Sequence, residues 1–209
     1  PELDIHDIGA MFRHLLERID WQRDLHFQTA TTIDTLDYSG GGFNSGSKLV
    51  MAAAGPVKRV LLKELPGDIS LPDGWSQPAL ALPGVLVLQG NAAPLGNGEP
   101  DQVIQTLCSF WEQRTLPDGI ALVVVVDDSE FCSRSLDNFL WVTFTRSNPA
   151  ADIYGVGAAM RQRHWGCRGP LVIDARRKPF HAPPLEEDPA VEKRIEGLAS
   201  AGGALYGLF

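Results

Sequence analysis

Asp127 and Asp128 follow four consecutive valines in "VVVVDDSEF", Val123 to Phe131. Paired carboxylates at the end of a buried strand can hold a metal or a cation-bound phosphate. They can equally end the strand and cap the helix and loop beyond it, and this second reading is preferred. A nucleotide site would need a partner loop, G-x-x-x-x-G-K-[ST], whose lysine follows the second glycine directly. The nearest stretch is "GGFNSGSK", Gly41 to Lys48, where Ser47 intervenes before the lysine and the following "LVMAAAG" reads as a strand. The spacing therefore argues against a phosphate-cradling loop. There is no G-x-S-x-G, none of the five histidines stands in a triad-like signature, and no H-x-x-x-H metal spacing occurs. Cys108, Cys132 and Cys167 are too widely spaced for a zinc site or a disulfide framework. They point to a reducing, cytoplasmic compartment.

Arg146, in "FTRSNPAAD", closes an apolar helical pattern, where a cation is stabilised by about 0.3–1 kcal/mol. A clamp from Arg146 to an aspartate or a carbonyl across the Pro149 turn, with Asp152 beyond it, is the preferred reading. A substrate carboxylate on Arg146 is the alternative. The net charge of −8 argues against non-specific nucleic-acid binding. Arg161, Arg163, Arg168, Arg176, Arg177 and Lys178 nevertheless cluster, and are read as a solvated face before an anion site.

The elements that must position these residues follow from apolar spacing. Ile5, Ile8, Phe12, Leu15, Leu16 and Ile19 form a helical stripe with Asp4 as its expected cap. Val103, Leu107, Phe110 and Trp111 are expected on one face of a second helix. Leu136, Phe139, Leu140, Thr143 and Phe144 define a third, with Ser135 as cap and its end before Pro149. Asp188 and Pro189 open a fourth. "VKRVLLKEL" and "PGVLVLQG" each suit a strand or short helix, and "GPLVIDAR" suits a strand. Alternating strands and helices predict an α/β fold, a three-layer α/β/α sandwich with a mixed sheet. No apolar run reaches the roughly 18 residues of a membrane span, and the start reads as no signal peptide.

The segment "ALVVVVDDSEFCSRSLDNFLWVTFTRSNPAAD" closely resembles the C-terminal domain of the UbiD-family decarboxylases, through Asp127, Asp128, Trp141, Thr145, Arg146, Pro149 and Asp152. The later "HWGCRGPLVIDARRKPFHAPPL" resembles that family's glycine-basic-"IDA" segment, and "TIDTLDYSGGGFNSGSKLV" looks like a region of its longer members. The resemblance divides the chain into a part at 1–95 of uncertain placement and a C-terminal-like α/β domain at 96–209, one compact unit. It implies non-oxidative decarboxylation of aromatic or unsaturated carboxylic acids, with a role in quinone biosynthesis. The implied cofactor is prenylated FMN, with a divalent metal and potassium, in the complete enzyme. The family's catalytic signature is absent here, so the resemblance implies no catalytic residue, no metal ligand and no bound flavin in this chain alone. A central flavin-binding domain, in cis or as a separate subunit, is the implied partner. By position Arg114 is the implied flavin contact, and Tyr154, Met160 and Trp165 the implied substrate lining. The alternative is a non-catalytic assembly domain or accessory subunit that does not touch flavin. Trp75, Phe180, Tyr206, Leu208 and Phe209 stand in segments that read as loops or ends, and predict a homodimer.

Overall fold

The computed structural model describes residues 3–40, 42–93, 101–182 and 188–208. The chain opens with helix α1 (Ile8–Arg18) and the antiparallel pair β1 (Leu25–Thr31) and β2 (Gly46–Met51). β3 (Trp75–Leu82) and β4 (Val85–Gly90) follow, then α2 (Gln102–Gln113), β5 (Leu122–Val126), α3 (Ser129–Ser133), α4 (Leu136–Thr145) and α5 (Pro149–Asp152). The last part holds β6 (Ile153–Gly155), the small hairpin β7 (Ala159–Arg161) and β8 (His164–Gly166), β9 (Leu171–Asp174) and α6 (Pro189–Ala199).

Five strands form one mixed sheet in the order β3-β4-β5-β9-β6. The central β4, β5 and β9 run parallel, and β3 and β6 are antiparallel edges. A parallel strand covered on both faces carries an unbroken apolar run instead of an alternating one, which is why four valines stand together. Side chains still alternate between faces. Val85, Val87, Leu122, Val124, Leu171 and Ile173 meet α1, α3 and α4, while Leu86, Leu88, Val123, Val125 and Val172 meet α2 and the 62–71 segment. The result is the three-layer α/β/α arrangement with a mixed sheet. β3 and β4 precede residue 95 and β5, β9 and β6 follow it, so a single sheet spans that position.

Several local expectations hold. Asp128, Ser135 and Asp188 cap α3, α4 and α6, and Pro189 stands at the start of α6. Others are corrected. The cap of α1 is Asp7, whose carboxylate accepts from the Ala10 N–H; Asp4 instead accepts from the His6 N–H before the helix begins. On α2 the buried face is Ile104, Leu107, Cys108 and Trp111, and Val103 is exposed. "VKRVLLKEL" is neither strand nor helix. Its polar groups satisfy the end of α1: the Lys58 and Arg59 N–H groups donate to the Glu17 carbonyl, and the Arg59 guanidinium donates to the Leu16 and Ile19 carbonyls. Trp75 is not an exposed loop residue. It starts β3, is 8% exposed and packs in the core beside Gly90. In the β3–β4 turn Gly84 has φ +75°, and a Cβ there would meet Leu61 at 2.6 Å and the Gly119 carbonyl at 2.9 Å. Only glycine suits such a position.

Candidate functional site

Open α/β sheets gather ligands and polar groups beyond the carboxyl ends of their parallel strands. Here that edge is built by Asn91 after β4, Asp127 after β5 and the run Asp174 to Lys178 after β9. Arg176 is its centre and is 1% exposed. Its Nε and Nη2 donate to the two Asp174 oxygens at 2.8 and 2.9 Å, Nη1 donates to the Asn91 carbonyl at 2.9 Å, and Nη2 also donates to Asp101. Burial disfavours the charged guanidinium, but the hydrogen bonds and charges of Asp174 and Asp101 outweigh it and hold its pKa above the usual arginine range. Asp101 in turn caps α2 through the Val103 N–H, and its own N–H donates to the Tyr154 hydroxyl at 2.9 Å.

Lys178 occupies the same floor. Its ammonium donates to the Asp174 carbonyl at 2.7 Å and the Arg146 carbonyl at 3.0 Å, and lies 3.2 Å from Asp152 Oδ2. Asp152 also accepts from the Asn148 N–H at 2.7 Å. Burial pushes the Asp152 carboxyl up despite Lys178. The Arg146 side chain takes a different partner from the one its sequence neighbourhood suggests. It reaches Asp127 at 3.3 Å and lies 5.1 Å over the Trp141 ring, while Asp152 belongs to Lys178. The corner is thus a clamp, closed across β5 and β9: Asp127 also accepts from the Arg177 N–H at 2.8 Å. Asp128 turns away to cap α3 through the Phe131 N–H.

Above this floor opens a cavity of about 590 Å³, walled by Tyr38, Phe43, Asn44, Asp152, Tyr154 and Phe180 among others. Burial pushes the Tyr154 hydroxyl up to about 12, so it stays protonated. His181, beside the cavity's Lys178 and Phe180, is pushed down to about 4, first by burial and then by Lys178 and Arg146. Its Nδ1 accepts from the Lys178 backbone N–H at 3.2 Å, which suits the neutral ring. Burial also pushes the Cys108, Cys132 and Cys167 thiols up to about 12, 11 and 12, so none is a thiolate nucleophile at neutral pH. Among the described residues no group of three or more His, Cys, Asp or Glu is arranged to hold a metal. No helix among them is long and apolar enough to cross a membrane.

The expected site residues are not brought together. Tyr154 lines the large cavity. Met160 and Trp165 line a second one of about 550 Å³ with Phe27, His26 and His164, where the Trp165 and Phe27 rings meet edge-on at 5.4 Å. Arg114 is exposed at the end of α2 and stacks over Phe110 at 4.3 Å. It borders a third cavity with Ile120 and Pro170, at the amino ends of β5 and β9. The basic cluster is split as well. Arg161, Arg163, Arg168 and Arg177 are exposed, but Arg176 and Lys178 are buried and are not part of a solvated face. Their signal was available: "IDARRK" places them directly beyond a strand buried on both sides, where a cation must find partners.

These residues do not fit a flavin phosphate. Lys178 and Arg176 are both engaged by carboxylates and carbonyls, and the cavity wall adds the carboxylate of Asp37.

Comparison with known proteins agrees with the sequence resemblance. Residues 1–53 match the family model of the 3-octaprenyl-4-hydroxybenzoate carboxy-lyase C-terminal domain, UbiD_C. That match lies on α1, β1 and β2, N-terminal to the 100–185 stretch that carried the resemblance. An uncharacterised protein of Chlamydia trachomatis is 31% identical over 92% of this chain and 31% of its own length. A 4-hydroxybenzoate decarboxylase subunit of Chlamydia pneumoniae is 28% identical over 93% of this chain and 31% of its own length. The chain therefore spans about a third of the curated relatives it matches. Among solved structures, the vanillic acid decarboxylase of Sedimentibacter hydroxybenzoicus aligns with a TM-score of 0.35 and 18% identity, covering 55% of this chain and 26% of that one. The chain is thus similar to the UbiD carboxy-lyases, with residues 1–53 matching the model of their C-terminal domain.

Proposed function

We propose that the chain is the substrate-lid and dimerisation part of a non-oxidative carboxy-lyase acting on aromatic or unsaturated carboxylic acids, in quinone biosynthesis. Prenylated FMN, with its divalent metal and potassium, is held by a central domain supplied in cis or as a separate subunit. The observation that carries this reading is the cavity at the strand ends. Its walls are aromatic, yet both floor cations are already paired. Such a cavity can enclose a ring but, among the described residues, has no spare cation for a cofactor phosphate. Tyr154 is the substrate-facing residue in it; Met160 and Trp165 line a second cavity, and Arg114 stands at the opposite, amino ends of the strands, so these three do not share the site with Tyr154. The engaged floor equally suits an assembly domain that never touches flavin, and the two readings part on whether adding this chain raises turnover by a flavin-loaded central domain. Purified alone, the chain is expected to be colourless. A stoichiometric flavin absorption band from this chain alone would overturn the proposal.

Dimerisation has its own support. Phe180, Tyr206 and Leu208 are 51%, 66% and 70% exposed, and α6 presents Val191 and Ile195 to solvent. Phe209 lies outside the described residues. Burying such side chains contributes roughly 25 cal/mol per Å², enough to order a short tail. Light scattering is expected to give twice the 22.7 kDa chain mass, and truncation after Ala201 to shift it toward the monomer. A monomer from the intact chain at micromolar concentration refutes the dimer. Three unpaired, buried cysteines support a cytoplasmic location.

A further inference from the structure

We propose that the cleft between β1 and the β7–β8 hairpin is a docking site for an extended acidic segment of another polypeptide. The segment adds to the unpaired edge of β1 and sets a carboxylate beside Arg163 and His164.

The cleft follows from how its two walls are held. β8 is tied to the chain before β1 at one end: the Cys167 N–H donates to the Trp21 carbonyl at 3.1 Å. Gly166 lies so close to Gln22 there that a Cβ would meet its Cα at 2.8 Å. Beyond this tie β1 and β8 are not paired, and a cavity of about 550 Å³ opens between them. Leu25, His26 and Phe27 border it from one side, Arg163, His164 and Trp165 from the other. Successive side chains of a strand point to opposite faces, so a cavity bordered by three in a row sees each strand along its edge. Among the described residues β1 pairs with β2 alone and β8 with β7 alone. An unpaired edge keeps N–H and C=O groups that another extended chain can use, and strand addition is a recurring mode of peptide recognition.

Charge then selects the occupant. The chain carries a net −8, yet among the described residues bordering the cleft none is acidic. Arg163 is exposed at its border, and His164 Nε2 is buried without a hydrogen-bond partner. An imidazole nitrogen can carry an N–H for an acceptor, and arginine can pair a carboxylate through two parallel hydrogen bonds. The hairpin tip adds a separate sign. Its two-residue turn holds Gln162 at φ +50° and Arg163 at φ +67°, positions that glycine, asparagine and aspartate usually fill. Such outliers cluster at ligand clamps, and here the turn keeps Arg163 at the cleft. Met160, 65% exposed, and the edge-on Phe27–Trp165 pair offer a seat for an apolar side chain beside the acid.

The test is selection of phage-displayed random heptapeptides on the intact chain, followed by calorimetry of the best binder. Selected sequences are expected to be rich in Asp or Glu next to an apolar residue. The best binder is expected to lose about tenfold or more in affinity when its carboxylates become amides, and as much when alternate backbone nitrogens are methylated. Arg163→Gly should weaken it about tenfold without lowering the melting midpoint, because glycine suits the turn. The proposal is overturned if no acidic sequence is enriched, if the amide or N-methylated form binds as tightly as its parent, or if Arg163→Gly leaves the affinity unchanged. It is overturned too if the peptide splits a dimer of the chain, because the cleft then belongs to a second copy.

Discussion

Replacing Arg176 by Met is expected to cost about 3–5 kcal/mol of stability, the range seen when one partner of a buried ion pair is removed. The reason lies in what stays behind. Asp174 has a side chain 3% exposed and takes two of its hydrogen bonds from Arg176. Asp101 and the Asn91 carbonyl lose a donor at the same time. Methionine fills similar volume but returns none of these bonds, so uncompensated charge is buried. For a chain of this length 1 kcal/mol moves the melting midpoint by about 2–4 °C, so a drop of roughly 6–20 °C is expected in a thermal melt. The same change should loosen the cavity floor, because Arg176 joins the ends of β4 and β9 to the start of α2. Adding Asp174→Asn should recover part of the loss, since the worst orphan is then neutral. A single variant melting within a degree of the parent would show that the network does not hold this end of the sheet.

Much of the fold is legible in the sequence because local chemistry and tertiary demand agree. "VVVV" reads as a strand covered on both faces and is one. Ser135, Asp128 and Asp188–Pro189 carry their signals within three residues of the helices they start. Where two candidates compete, sequence alone does not choose: Asp4 and Asp7 both precede the first apolar stripe, and only the path of the chain assigns Asp7 to the helix. Strands of three residues, β6, β7 and β8, are too short for a period-two pattern to register. Trp75 reads as a loop residue because a Pro/Gly-rich stretch hides the start of β3, and its burial depends on Gly90 and the neighbouring core, away along the chain.

The site is legible only in part. Tyr154 does stand beside a cavity, but its companions Tyr38 and Phe43 come from a loop more than a hundred residues earlier. No spacing rule links segments so far apart. Arg176 and Lys178 look like surface charge because a run of basic residues usually is. Their burial follows from β9 being central, a fact of sheet order rather than of composition. Arg146, at the end of α4, does form a clamp, while its partner, Asp127, stands at the end of β5.

Turnover should depend wholly on the combination of this chain with a central domain. The described residues offer no thiolate, no metal-holding cluster and no spare cation at the cavity floor. His181 is held neutral and accepts a backbone N–H. General acid–base catalysis alone commonly contributes about 10²–10⁴-fold, and in the proposed reading the central domain supplies it. In the proposed lid role, closure would exclude water and orient the ring, which has no effect without the reacting centre. The most direct test is release of carbon dioxide from a panel of aromatic acids, para-hydroxybenzoate among them. It compares this chain, the cofactor-loaded central domain, and the two together as a complex or a continuous polypeptide. No turnover is expected from the chain alone, little from the central domain alone and full turnover from the combination. Decarboxylation by the chain alone, or a central domain equally active without it, would contradict the lid role.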